Sequence, residues 1–255
     1  MDLGLTGKRV VVTGAGRGIG LAVVRAFAAE GASVVAGSRR TSAELKEIPG
    51  VTVVEVDLAE PDGPETLVAA AGERIDVLVN NVGVAPPRTG GFLEVTDDMW
   101  ATTWNLDVMS AVRATRAALP RMLDHGGAIV NTGSVNARLA DPLVIDYSAA
   151  KAALTNLAKS LSKEFGPRGI RVNTVAPGPV ATDLWLGEGG VAATVGAATG
   201  ADPRDVEAGA KAAMVTGRFT RPEEVADLVV MLGCERLGNV TGAEFTIDGG
   251  MITTV

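Results

Sequence analysis

The sequence predicts a doubly wound α/β fold, with one parallel sheet of about seven strands and helices on both faces, in a single domain over residues 1–255. Three observations carry this. Short Val-rich runs alternate with longer helical patterns from end to end. The runs are apolar at nearly every position rather than every second one, which demands burial on both faces, as in a parallel sheet between helix layers. A glycine-rich turn joins the first run to the first helix.

Lys8–Thr13 (KRVVVT) reads as the first strand, and Gly18–Glu30 as the first helix, ended by Gly31. Ser33–Ala36, Val51–Val56 and Ile75–Val79 read as the next three strands. Thr96–Met122 is one long helical pattern, closed by Pro120 and Gly126-Gly127. Ala128–Thr132 is the fifth strand, Tyr147–Phe165 a helix rich in Ala, Leu and Lys, and Ile170–Val175 the sixth strand. Glu223–Leu232 is a helix and Ala243–Ile247 the last strand. Right-handed crossovers wind such a chain to both sides of its sheet. Residues 183–218 are the expected substrate-binding lid loop. Within them Gly187–Gly200 (GEGGVAATVGAATG) has two open readings, a surface loop or a lid over a ligand.

Composition excludes several classes. Lys+Arg 23 against Asp+Glu 30 leaves a net charge of −7 with no basic cluster, so nucleic acid and anionic membranes are not expected partners. The single Cys, Cys234, permits no intrachain disulfide and reads as a core residue. The single His, His125, permits no site with two His ligands and reads as a surface loop residue, and no metal site is expected. A Ser-His-Asp hydrolase would depend on that one His. No apolar run reaches 18 residues and no signal pattern opens the chain, so a soluble cytoplasmic protein is expected.

Two constellations bear chemistry. The first is Thr13-Gly14-Ala15-Gly16-Arg17-Gly18-Ile19-Gly20, between a strand and a helix. Glycines let the backbone approach a pyrophosphate, and the helix N-terminus offers it N–H groups and a positive dipole end. An acid ending the second strand would bond the 2′-hydroxyl of NAD. Here Ser38-Arg39-Arg40 follows, with no acid, and Arg39 or Arg40 can fork onto a 2′-phosphate, with Arg17 adding charge. NADP(H) is therefore expected in preference to NAD(H). Asp57 and Leu58, after the third strand, are placed beside the adenine, though Asp57 also suits a helix cap.

The second constellation is Tyr147 and Lys151, four apart on one helix face, with Ser134 thirteen residues earlier, just past the fifth strand. An adjacent ammonium lowers a phenol from its reference value near 10 and makes it a usable general acid or base. A hydroxyl at the carboxyl end of a strand can bond a carbonyl or alkoxide oxygen.

Together these motifs resemble those of the short-chain dehydrogenase/reductase family. Thr13–Gly20 (TGAGRGIG) is similar to its TGxxxGIG turn, and Asn80-Asn81-Val82-Gly83 to its NNAG element. Asn105 is taken as the family's helix Asn, Ser134 closes Asn131-Thr132-Gly133-Ser134, and Tyr147–Lys151 is YSAAK. Pro177–Thr182 (PGPVAT) is similar to the PGxxxT turn, and the ending Thr241–Gly250 is family-like. The resemblance covers essentially the whole chain. It implies a Rossmann-type domain and an oxidoreductase that interconverts a ketone and a secondary alcohol by hydride transfer. It gives Tyr147 proton transfer, Ser134 the grip on the oxygen, and Lys151 the nicotinamide ribose. Asn105 would hold a relay water. Asn81 and Gly83 would line the adenosine ribose, and Pro177, Gly178, Val180 and Thr182 the carboxamide. Ser38 would be the discriminating position, and the Arg after it, Arg39, goes with NADP(H) in this family.

Asn136, Leu139, Leu184 and Trp185 are the expected substrate contacts, and the mostly apolar pocket edges point to a mainly apolar secondary alcohol or ketone as the small-molecule substrate. Two alternatives stand beside this reading. A 3-oxoacyl-[acyl-carrier-protein] reductase would use Arg168, but Asp124 lies near its other basic position. A catalytically silent NADP-binding sensor would not need Ser, Tyr, Lys and Asn together. The resemblance also implies a homotetramer, with a homodimer as the alternative.

Overall fold

Val10, Val11 and Val12 have no solvent exposure, so consecutive side chains of the first strand are buried on both of its faces. That pattern recurs through the sheet and determines the architecture. The computed structural model describes residues 2–254. Among them, seven strands form one parallel sheet: β1 (Arg9–Thr13), β2 (Ser33–Ser38), β3 (Val51–Glu55), β4 (Val77–Asn80), β5 (Gly127–Thr132), β6 (Ile170–Pro177) and β7 (Glu244–Ile247). Their order is β3-β2-β1-β4-β5-β6-β7. The register is regular, with Val11 opposite Val35 on one side and Leu78 on the other.

Helices α1 (Gly18–Ala29) and α10 (Pro222–Gly233) cover one face. There Val10, Val12, Val24, Phe27, Val225 and Val229 form one buried cluster. On the other face lie α3 (Gly63–Ala69), α5 (Ser110–Ala118) and α6 (Ile145–Phe165), where Val11, Leu67, Leu78, Ala114 and Ala158 are buried together. Each Val, Leu or Phe among them contributes roughly 1.5–3 kcal/mol on burial. The crossovers leave a crevice at the carboxyl ends of β1 and β4, where the strand order reverses. His125 closes a turn, with its Nε2 3.1 Å from the Ile75 carbonyl, and Cys234 is buried.

Two segments differ from the sequence reading. The expected single helix Thr96–Met122 is α4 (Asp97–Trp104), a π turn (Asn105–Met109), α5 and a 3₁₀ turn (Leu119–Arg121). The Ser110 N–H reaches the Asn105 carbonyl five residues back, and the Ser110 hydroxyl donates to the Leu106 carbonyl at 2.5 Å. One extra residue is thereby looped into the helix, which changes the facing of side chains along it.

Residues 183–218 are not a loop. They form α7 (Asp183–Leu186), α8 (Val191–Thr199) and α9 (Pro203–Ala212). The small residues that suggested an unanchored loop include Ala, the best helix former. Asp202 caps α9, accepting from the Arg204 N–H at 2.8 Å, with Pro203 in the first turn. Helix α2 (Ala43–Lys46) is a further single turn, capped by Ser42.

Candidate active site

The crevice opens into a cleft of about 890 Å³. The glycine turn forms one wall. Gly14 has φ +66°, and a side chain there would meet the Val82 Cα at 2.8 Å, so this position takes only glycine. Thr13 and Asn81 clip the β1 and β4 ends together. The Thr13 hydroxyl accepts from the Asn81 N–H at 2.8 Å, and the Asn81 amide donates to the Thr13 and Gly14 carbonyls at 3.1 and 3.2 Å. Among the described residues, no side chain caps the start of α1. That leaves its first turn and dipole free for an anion.

Gly14, Gly16, Arg17, Gly18, Ile19 and Gly20 all border the cleft. So do Ser38, Arg39, Asp57, Leu58, Asn81 and Gly83 and, at the other end, Pro177, Gly178, Val180 and Thr182. Ser38 is buried and donates to the Arg40 carbonyl at 2.6 Å, which shapes the bend that leaves Arg39 and Arg40 exposed at the rim. Asp57 accepts from the Ala59 N–H at 2.9 Å in its own turn, and α3 starts after Asp62. Arg17 lies 3.6 Å from Asp183 across the mouth, an exposed pair.

The reacting end is built on β5 and α6. Ser134, on the turn after β5, is buried. Its hydroxyl donates to Asn136 Oδ1 at 3.1 Å and accepts from the Asn136 N–H at 3.2 Å. Tyr147 and Lys151 share one face of α6, with Nζ 5.4 Å from the ring centroid. The ammonium donates to the Thr132 carbonyl at 3.0 Å. Burial pushes the Tyr147 phenol above its ordinary value, while Lys151 and the Ser134 hydroxyl pull it down without reversing the lift. The expected lowering is therefore not the net result, although part of the ring remains open to the cleft.

Two expected residues have surroundings of their own. Asn105 was expected to hold a relay water, and its side chain has protein partners. Its amide donates to the Ala59 carbonyl at 2.7 Å, its Oδ1 accepts from Arg113 at 2.8 Å, and its backbone carbonyl serves the π turn. The π turn carries Asp107 inward, with its carboxylate 3.4 Å from the Lys151 ammonium. Leu139 is 42% exposed and lies outside the cleft wall, whereas Asn136, Leu184 and Trp185 border the cleft.

Sequence reasoning also missed Asp146, whose side chain is fully buried one residue before Tyr147 and paired with Arg88. Burial pushes this carboxyl upward, but hydrogen bonds from Arg88 and Thr103 more than reverse it, holding it below the ordinary value. The signal that could have found both carboxylates is an acid inside an apolar stretch, as in Leu106-Asp107-Val108 and Val144-Ile145-Asp146.

A sequence model described as enoyl-(acyl carrier protein) reductase matches residues 14–252. The chain belongs to the short-chain dehydrogenase/reductase family. It is 37% identical to L-xylulose reductase of Mus musculus, over 100% of both chains. It is 33% identical to meso-2,3-butanediol dehydrogenase of Serratia marcescens, over 95% of this chain and 94% of that one. The fold superposes on L-sorbose reductase from Gluconobacter frateurii, solved with NADPH and L-sorbose, with a TM-score of 0.90, 34% identity and 100% of both chains covered. The protein is thus an enzyme of the short-chain dehydrogenase/reductase family, an oxidoreductase acting between CH–OH and C=O groups. No helix among the described residues is long and apolar enough to cross a membrane.

Proposed function

We propose that the protein reduces a small, uncharged polyhydroxy ketone with NADPH, using Tyr147 as proton donor. One observation carries the reading: Ser134, Tyr147 and Lys151 converge at one end of a cleft whose other walls are a glycine turn and the end of β2, where Arg39 and Arg40 follow Ser38 with no acid among them. That cleft fits a dinucleotide. The uncapped start of α1 suits the pyrophosphate, and Arg39, beside Ser38 at the end of β2, suits a 2′-phosphate. NADH would lack that phosphate and bind more weakly. When bound, the cofactor supplies the hydride that reaches the carbonyl carbon.

The chain's residues do the rest. Ser134 turns its hydroxyl from Asn136 to the substrate oxygen and holds it. Tyr147 delivers its proton to that oxygen as negative charge develops there, giving the alcohol and a phenolate that water reprotonates. Lys151 steadies that phenolate and is placed to hold the nicotinamide ribose. Pro177, Gly178, Val180 and Thr182 are placed for the carboxamide, and α7–α9 for a lid. The substrate class follows the reductases of L-xylulose and L-sorbose among the relatives. Asn136 and Asp141 offer such a substrate polar contacts, against Leu184 and Trp185 on the far wall.

Fluorescence titration with NADPH and NADH, then turnover of L-xylulose, L-sorbose and an acetoacetyl thioester, tests this. Tighter NADPH binding with ketose turnover is expected. Preference for the thioester would move the reading to an acyl-carrier reductase. Binding without turnover across a wide carbonyl panel would favour a silent sensor, and no binding would end the reading.

A further inference from the structure

Asp107 is a charged side chain at the reacting end to which the reaction above assigns no task. Its side chain is fully buried. Oδ2 accepts from the Val84 N–H at 3.2 Å, and Oδ1 lies 3.4 Å from Lys151 Nζ. Gly83 seals the pair: a side chain there would collide with Oδ1 and stand 3.2 Å from Nζ. Lys151 therefore sits between the Thr132 carbonyl, the Asp107 carboxylate and the Tyr147 ring.

We propose that Asp107 is a positioning residue, resting on the assignment of Tyr147 as acid: its carboxylate offsets the pull of Lys151 on the phenol, works in the same direction as burial, and so fits the site to carbonyl reduction. An ammonium alone favours phenolate, the form that oxidation of an alcohol requires. A carboxylate against that ammonium offsets part of its field at the ring, and phenol is the form that reduction requires.

The charged groups facing Asp107 are few. Helix α6 supplies Lys151, Tyr147 and Asp146, and Asp146 is itself held by Arg88 and Thr103. The β4 end supplies the backbone of Gly83 and Val84. Burial pushes the Asp107 carboxyl up to about 6, with Lys151 opposing the lift. The sign follows. Above about pH 6 the carboxylate is formed and offsets Lys151 at the phenol; with the carboxyl neutral, burial alone opposes Lys151 there.

Tyr147 is the only tyrosine in the chain, so tyrosinate absorbance in the near ultraviolet reads its ionisation directly, without substrate. The experiment titrates the unsubstituted protein and Asp107→Asn toward alkaline pH, with circular dichroism marking the limit of the folded range. Asn keeps the size and the acceptor for Val84 N–H but loses the charge. The expected result is a midpoint lower by about one unit in the variant. An equal midpoint in folded Asp107→Asn overturns the proposal, because a purely structural Asp107 predicts that equality. If Asp107→Asn does not fold, Asp107→Ser is read in the same way. Full turnover by Tyr147→Phe would instead end the acid assignment while leaving the titration shift standing, so the two failures are separable.

Discussion

Ser134, Lys151 and Asp107 are 5%, 3% and 1% exposed, while across the cleft Leu184 and Leu186 are 39% and 43% exposed. The floor of the site hangs on strand ends and helix interiors, and backbone groups hold its side chains: the Thr132 carbonyl holds Lys151, and the Val84 N–H holds Asp107. The segment α7 to α9, proposed above as a lid, is held by side chains. Trp185 meets Phe219 at a centroid distance of 5.2 Å, Lys211 lies 5.7 Å from the same ring, and Arg17 pairs with Asp183 at the surface. Helix α9 has no buried residue among those described. The floor is therefore the more deeply buried of the two, and the proposed lid the more exposed. Changes to the floor should appear in kcat and changes to the lid in KM.

The largest effect tests the floor. Tyr147→Phe removes one oxygen and its proton while keeping the ring. We expect a loss of at least about 10²-fold in kcat with NADPH affinity unchanged. Steady-state kinetics with an accepted ketose, beside cofactor titration, measures both. Near-normal kcat would remove Tyr147 from the chemistry and with it the distinction between floor and lid.

The legibility of the sequence follows the same division. The sheet could be read because Val-rich runs such as Val10–Val12 have one physical use, burial on both faces. The glycine turn was legible because Gly14 is forced by a backbone contact with Val82, a constraint local enough to leave a pattern. The place of Asp107 was not legible. It lies in the π turn Asn105–Met109, an interruption of the helix that leaves no pattern in the sequence, and its carboxylate there lies 3.4 Å from Lys151. Residues 187–200 were misread for another reason: their Ala- and Gly-rich composition fits a loop as well as a helix, and α8 starts after Gly190 with no side-chain cap to mark it.

At the cofactor rim a middle-sized effect is expected. Arg39 is exposed beside the cleft, so its charge acts through solvent and is partly screened. Arg39→Ala should reduce the preference for NADPH over NADH by roughly 10-fold, as expected for one charge-assisted hydrogen bond. Paired dissociation constants for the two cofactors measure it. An unchanged ratio would pass the 2′-phosphate to Arg40, the next cation along the same bend.

The smallest effect probes the lid. Trp185→Ala deletes the ring that spans the cleft wall and Phe219. Since α7 is one exposed turn, little of the fold depends on that ring, and the sheet and the Lys151–Asp107 pair should stand unchanged. We expect the ketose KM to rise by about 3- to 10-fold, the loss of roughly 1 kcal/mol of apolar contact, with kcat within about twofold. Initial rates over a range of ketose concentrations at saturating NADPH give both values. A collapse of kcat instead would mean that the lid holds the substrate in its reacting geometry, and floor and lid would then act as one catalytic unit despite their different construction.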